Sequence, residues 1–177
     1  FVYLFKQNER SVITVEKREK PMDYSTVPFR QRDHLNYPPL TMFQMVERIA
    51  RQYPDEPAYE FYSKKTSYAR FLNRIEQAAR AFVAAKIHRD DAVTICLPNI
   101  PQALQAFYAL SRIGAVANMV HPLSAQNEIT FYLNLSKSRI ILTADLFYEK
   151  VKKAVASADH PVTILVARMQ EELPIYT

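Results

Sequence analysis

Four short runs rich in β-branched and aliphatic residues, AVTICL, AVANMV, RIILTA and VTILVA, follow one another from Ala92 onward, each separated from the next by a segment of helical period. That alternation limits what the chain can become more than any other feature. A strand that returns to its sheet through a crossover helix of about 10 to 15 residues returns parallel, and the connection is right-handed. The pattern therefore predicts parallel strands at 92–97, 115–120, 139–143 and 162–167 in one sheet. Runs this apolar on both faces need helices on both faces. The predicted fold class is α/β, a mostly parallel sheet with helices on both faces.

Upstream of Ala92 the elements are of another kind. Thr41 is placed to cap a helix over TMFQMVERIARQYP, with Met42, Met45, Val46, Ile49 and Tyr53 on one face and Pro54 closing it. AYEFY and TSY read as a hairpin at 58–68, turning at Ser63-Lys64-Lys65 and lying outside the centre of the sheet. Residues 69–85 form an amphipathic helix whose apolar face is Phe71, Leu72, Ile75, Ala78, Ala79, Phe82 and Val83. The turn PNIP opens a helix that runs through Arg112, with proline favoured at its start because the missing N–H would have no partner there. Its apolar residues wrap broadly, so Leu104 and Phe107 are expected to be fully buried. Gly114 stops that helix, and Ser124 or Asn127 is placed to cap the next, over NEITFYLNLSK. A last helix covers DLFYEKVKKAVASA. Residues 1–40, rich in proline and aromatics without periodicity, read as an extended amino-terminal arm ordered by Tyr24, Phe29 and Tyr37. Residues 41–177 read as the α/β subdomain.

Gly114 is the only glycine, where average usage would give about 12. This excludes any motif built on a glycine loop, phosphate cradles included. Cys96 is the only cysteine and lies in an apolar run, which implies a buried, inert thiol and neither a disulfide nor a CxxC metal site. His34, His88, His121 and His160 are too scattered for a metal cluster. The net charge of +5 is spread among acids rather than gathered in a stripe, so no nucleic-acid partner is expected. No apolar run reaches the roughly 20 residues a membrane-spanning helix needs, and FVYLF is too short for a signal peptide core. These features together fit a cytoplasmic protein without a transmembrane segment.

Several side chains are candidate site residues. His121 sits at the carboxyl end of a predicted strand, the edge where α/β sheets bind ligands, but reads better as a structural loop residue. Asp90 and Asp91 are neighbours in a turn, so their side chains point apart. Phe107, Tyr108 and Tyr132 could line an acyl channel, yet residues of this kind on apolar helix faces belong to the core. The expectation is therefore that this chain supplies no catalytic, cofactor-binding or metal-binding residue.

The stretch from TSYARFLNRIEQAARAFVAA to RIILTA resembles the amino-terminal portion of the AMP-forming acyl-CoA synthetases, in the adenylate-forming ligase superfamily. The likeness runs from about Leu40 to about Val166. It is carried by the T-x-Y helix start, the V-T-I-x-L-P-N-x-P strand exit, the R-I-G-A-V helix exit and the N-x-V-x-P-L loop. It implies the amino-terminal subdomain of the adenylate-forming ligase fold. The whole enzyme would activate a small carboxylic acid with MgATP, release pyrophosphate and pass the acyl group to CoA, as in fatty acid metabolism. The family's phosphate loop, metal-binding motif and lid lysine would lie beyond residue 177. The chain would then bind no cofactor itself, and its partners would be the rest of the adenylation domain and the carboxy-terminal lid. A free-standing flavodoxin-like or Rossmann-like binding module is the alternative. One turn departs from the family: its pattern G-V-x-x-G-D is replaced by Lys86-Ile87-His88-Arg89-Asp90-Asp91, so this backbone must either differ or be strained.

Overall fold

The computed structural model describes residues 38–168. The arm expected over residues 1–40 lies outside them except for its last three positions. Four strands, β3 (Ala92–Cys96), β4 (Val116–Met119), β5 (Ile140–Ala144) and β6 (Thr163–Ala167), form one parallel sheet in the order β4-β3-β5-β6. Its register sets Val93 beside Ala117 and Ile140, and Ile140 beside Thr163. The strand alternation thus gave the sheet correctly, with ends moved by one residue or so.

The hairpin of β1 (Pro57–Phe61) and β2 (Lys64–Ser67) makes a separate two-stranded sheet. Its turn is Tyr62-Ser63, not Ser63-Lys64-Lys65 as expected, and both residues have positive φ (47° and 62°). A two-residue loop of that handedness matches the right-handed twist of the strands it joins.

The helices divide between the sheet's two faces. On one lie α1 (Met42–Gln52), α2 (Tyr68–Ala84) and α3 (Pro101–Ile113), which bury Phe43, Phe71, Ile75, Phe82, Ala106 and Leu110 with Val93 and Ile95 of the sheet. On the other lie α4 (Gln126–Ser136) and α5 (Tyr148–Ala156), packing Ile129, Leu133, Val151 and Ala154 on Cys96 and Ile141. A 3-10 turn over Asp145–Phe147 leads into α5.

Three packing expectations need correction. α1 buries Phe43 and Ala50, seven residues apart, while Met42, Met45 and Tyr53 stay exposed. Its core-facing stripe is thus turned by about one residue from the one expected: Phe43 is buried in the core between α1, α2 and α3, with the Arg112 guanidinium 5.1 Å from its ring. On α2, Val83 is exposed, since the stripe through Phe71, Ile75, Ala79 and Phe82 already fills the contact with α3. On α3, Leu104 is 44% exposed and Phe107 is half-buried. The broad apolar wrap of α3 is filled on one side by alanines (103, 106 and 109) that let α2 and the sheet approach closely, and Leu104 points away from that side.

The caps explain the element boundaries. Thr41 accepts from the Gln44 N–H at 3.2 Å while Gln44 accepts from the Thr41 N–H at 2.8 Å, a reciprocal box. α4 has half of that arrangement: Glu128 accepts from the Ala125 N–H at 3.1 Å, and alanine has no oxygen to return the bond. The N-cap is therefore Ala125, not Ser124 or Asn127 as expected. Gly114 ends α3 in the left-handed region (φ 76°), as expected of it.

The glycine-free turn keeps a glycine-type backbone. Lys86 and Asp90 have φ of 61° and 67°, left-handed at both positions where the family pattern carries glycine. After α2, the Ile87 N–H bonds the Phe82 carbonyl (3.0 Å) and the Lys86 N–H that of Val83 (2.9 Å), closing the helix in a Schellman motif with buried Ile87 as its apolar anchor. Of the two alternatives, the turn is strained rather than altered.

Candidate functional site

In an open α/β sheet the ligand crevice lies at the carboxyl edge where neighbouring strands send their connections to opposite sides. Here that point falls between β3, which leads to α3 on one face, and β5, which leads to α5 on the other. Residues 97–100 leave β3, Asp145–Phe147 leave β5, and residues 120–125 leave β4.

This edge is built but sparsely equipped. Lys150, half-buried on α5, donates through Nζ to the carbonyls of Pro122 (2.6 Å) and Ser124 (3.2 Å) and lies 5.7 Å from the Phe147 ring. It fastens the β4–α4 loop across the crevice, and no spacing in the sequence marked it for that role. The N-terminus of α3 has no side-chain cap. Gln102 in its first turn donates to the Arg168 carbonyl at 3.1 Å, joining α3 to the end of β6.

Two buried side-chain oxygens here, Gln102 Oε1 and Thr143 Oγ1, have no hydrogen-bond partner among the described residues. An amide oxygen accepts and cannot donate, so Gln102 Oε1 offers nothing to a phosphate, and the Thr143 hydroxyl offers one donor. Among the described residues no three His, Cys, Asp or Glu side chains are grouped to hold a metal. A nucleotide triphosphate with its metal needs convergent donors and a cation at the phosphates. Among the described residues, the metal ligands that this group needs are not gathered at this edge.

Of the candidates from sequence, Phe107 and Tyr108 are in ring contact, and among the described residues the structure shows no contact that joins His121, Asp90, Asp91 or Tyr132 to them. His121 is exposed, and its Nδ1 accepts from the Leu123 N–H at 3.2 Å, a bond that shapes the loop. Asp90 and Asp91 lie at the opposite, amino edge of the sheet. Asp91 accepts from the His88 N–H (2.9 Å) and from Arg139 (3.0 Å); the His88 bond first, and Arg139 beside it, hold its carboxyl below the usual range. Tyr108 stacks edge-on with Phe71 and Phe107, joining α2 to α3, so these rings are packing. Tyr132, expected in the core, is instead 40% exposed on α4. Cys96 is fully buried, and burial pushes its thiol up to about 11 against the opposing charge of Lys150. That is the inert thiol expected.

One grouping escaped the sequence reading, though Asp159 and His160 are adjacent in it. His160 Nδ1 lies 2.6 Å from the Asp159 carboxylate and its Nε2 lies 2.9 Å from the Ser138 carbonyl. Lys137 holds Asp159 from the other side at 2.7 Å. With Nδ1 on Asp159 and Nε2 on the Ser138 carbonyl, both ring nitrogens are engaged, and this histidine is a clip between the α4–β5 and α5–β6 connections.

A family model described as AMP-binding enzyme matches residues 46–176. The chain belongs to the AMP-binding enzyme family. Among curated relatives, a long-chain-fatty-acid–CoA ligase of Bacillus subtilis is 26% identical over 142 residues, covering 79% of the chain and 25% of the relative. An acetyl-coenzyme A synthetase of Xylella fastidiosa is 37% identical over 92 residues, 52% of the chain and 13% of the relative. Among solved structures, a benzoate CoA ligase from Burkholderia xenovorans superposes with a TM-score of 0.69 at 17% identity, over 74% of the chain and 26% of that structure. The luciferase-like enzyme of the mealworm Zophobas morio gives 0.71 at 20% identity, over 81% and 36%. These bear out the likeness to the amino-terminal portion of the AMP-forming acyl-CoA ligases and the α/β fold it implied. The chain spans about a quarter of the length of the Bacillus relative. No helix among the described residues is long and apolar enough to cross a membrane.

Proposed function

We propose that the chain is the amino-terminal portion of an ATP-dependent acyl-CoA synthetase, which converts a carboxylic acid, ATP and CoA into acyl-CoA, AMP and pyrophosphate. Residues 41–177 are then an incomplete subdomain of a larger adenylation domain, a scaffold that does not catalyse by itself. Its partners are the remainder of that domain, the carboxy-terminal lid and the three substrates, with the reaction placed in the cytoplasm and in fatty acid metabolism.

The observation that carries this reading is a mismatch. The fold and family match are those of an AMP-binding enzyme, while no three His, Cys, Asp or Glu side chains are grouped to hold a metal among the described residues. Phosphate charge must be met by residues outside this portion, and what these residues supply is the sheet, the Lys150-fastened loop and one wall of the crevice.

Two measurements test it. The chain alone, given MgATP, CoA and straight-chain or aromatic acids, should release no pyrophosphate. A chimera in which it replaces the matching portion of the Bacillus ligase should release pyrophosphate in an acid- and CoA-dependent way. Steady turnover by the chain alone would refute the scaffold role. A folded but inactive chimera would count against the synthetase reading, and tight flavin or nucleotide binding by the chain alone would favour a free-standing module.

A further inference from the structure

Among the described histidines, His88 and His121 are exposed, whereas the His160 side chain is only 17% open to solvent. Both of its ring nitrogens face acceptors. Nδ1 lies 2.6 Å from the Asp159 carboxylate, and Nε2 lies 2.9 Å from the Ser138 carbonyl. A carbonyl oxygen accepts and never donates, and an ionised carboxylate does the same. Asp159 is ionised: the bond from Lys137 first, and that from His160 next, hold its carboxyl below the usual range. A neutral imidazole carries one N–H and satisfies one of these two oxygens, while an imidazolium carries two and satisfies both. The clip as it stands therefore counts a proton on each ring nitrogen.

The contacts behind the ring run deep. The Asp159 N–H donates to Asn134 Oδ1 at 3.0 Å, and the Lys137 amine reaches the Asp159 carboxylate at 2.7 Å, so the end of α4 is tied to the α5–β6 connection. Ser138 is fully buried, with its hydroxyl 2.7 Å from that of Ser136. Asn118 of β4 donates to Ser136 Oγ at 3.1 Å and to Thr94 Oγ1 of β3 at 2.9 Å. A chain of polar contacts joins the clip to the middle of the sheet. Other charged groups at this edge are turned elsewhere. Arg139 and His88 lie against Asp91, and Arg89 lies against Asp90. On α5, Lys152 lies over the Tyr148 ring and Lys153 is exposed.

We infer that His160 is a proton-operated latch on the α5–β6 connection: the charged ring holds Asp159 and Ser138 together, and loss of one proton frees Ser138. The neutral ring keeps its remaining N–H on the ionised partner, where the bond is stronger, and turns a lone pair toward the Ser138 carbonyl. That residue is buried, so its carbonyl meets water only if the connection moves. The sign follows from the proton count. The connection is closed while the ring is charged and opens as pH rises through about 5 to 8, the window in which histidine ordinarily changes charge. The opposite end of the α4–α5 layer is fastened separately, by Lys150 on the Pro122 and Ser124 carbonyls, so the opening is confined to one end.

Nuclear magnetic resonance of the chain from about pH 5 to about pH 8.5 is the test. Long-range proton–nitrogen correlation should show both ring nitrogens of His160 protonated at low pH and Nδ1 alone protonated at high pH. Across the same range the Asp159 and Thr163 amides, which donate to Asn134 Oδ1 and the Arg139 carbonyl, should exchange about tenfold faster once the intrinsic pH dependence is removed. The Asn118 side-chain amide should shift in step with the ring. His160→Gln keeps a donor for Ser138 but has no proton to lose, so its corrected exchange should be flat with pH although His88 is still present. Asp159→Asn separates a latch from a plain structural bond: the introduced amide can donate to a neutral ring, whose own N–H then stays on Ser138, so closure should persist to the top of the range. A parent without the step, a step that survives in His160→Gln, or a neutral ring protonated on Nε2 overturns the inference. Should His160→Gln not fold, the parent ring spectrum and Asp159→Asn decide alone, and release in Asp159→Asn at the same pH as in the parent overturns it equally.

Discussion

Lys86→Gly should stabilise the protein, and Gly114→Ala should destabilise it, although each changes one residue at the end of a helix. Both positions are left-handed, with φ of 61° and 76°. A side chain in that region costs about 1–2 kcal/mol against its Cβ. Glycine in turn costs about 0.5–1 kcal/mol through the freedom it adds to the unfolded chain. Lys86 keeps its backbone bonds on substitution, namely its N–H to Val83 and its carbonyl from Arg139. The net gain for Lys86→Gly is therefore about 0.5–1 kcal/mol, or about 2–3 °C in Tm for a chain of this size. At Gly114 the same terms reverse, and an added Cβ would also stand 3.1 Å from Arg89 Cγ. That side chain is exposed and can swing away, so Gly114→Ala should cost about 1 kcal/mol and lower Tm by about 3 °C. Thermal and urea melts followed by circular dichroism at 222 nm read both. A drop in Tm for Lys86→Gly, with the urea slope unchanged, would refute the claim that this turn is strained.

Other expectations follow from burial and charge. Leu110→Ala removes a fully buried side chain from the larger core and should cost about 3 kcal/mol, whereas half-exposed Leu104→Ala should cost about 1 or less, as equilibrium urea unfolding would show. Phe107→Ala should fall between them, below the roughly 3–5 kcal/mol of a fully buried ring. Asp91 and Asp159 both have lowered carboxyl pKa values, chiefly from the His88 N–H and from Lys137 respectively. A lowered carboxyl stabilises the fold above its unfolded value of about 3.9, and the contribution fades as pH falls below that. Tm measured from pH 6 to 3 should therefore fall less steeply in an Asp91→Asn, Asp159→Asn double variant than in the parent, whose loss in this limb includes both contacts.

The sheet was legible because its four strands carry long aliphatic runs and the segments between them are of helical length, which leaves few topologies open. Finer packing was not. Periodicity placed Met42 and Met45 on the inner stripe of α1, yet the anchor is Phe43, because its larger ring is buried against helices that reach α1 only in the folded chain. Leu104 reads as core in any window, and only the alanines opposite show which side of α3 the neighbours approach. The left-handed residues were half legible: the family pattern marked Lys86 and Asp90 as anomalous, but nothing local revealed that the backbone stays while the side chains bear the strain. Lys150 and the His160 clip join loops that are neighbours only once the crossovers have been made.

The single thiol gives the fold a built-in clock. Cys96 ends the central strand β3 with none of its surface exposed and with its ionisation pushed up to about 11. A thiol reagent can meet it as a thiolate only when the strand end has come away from α4 and α5. With reagent in modest supply, the labelling rate in plain buffer reports how often the centre of the sheet opens, and the dependence of that rate on urea separates local fraying from global unfolding. Because there is no second cysteine, the signal needs no engineered mutation and no correction for other sites. The reagent would follow a fully buried strand end under native conditions, where the population being counted is far too small for any melt to detect.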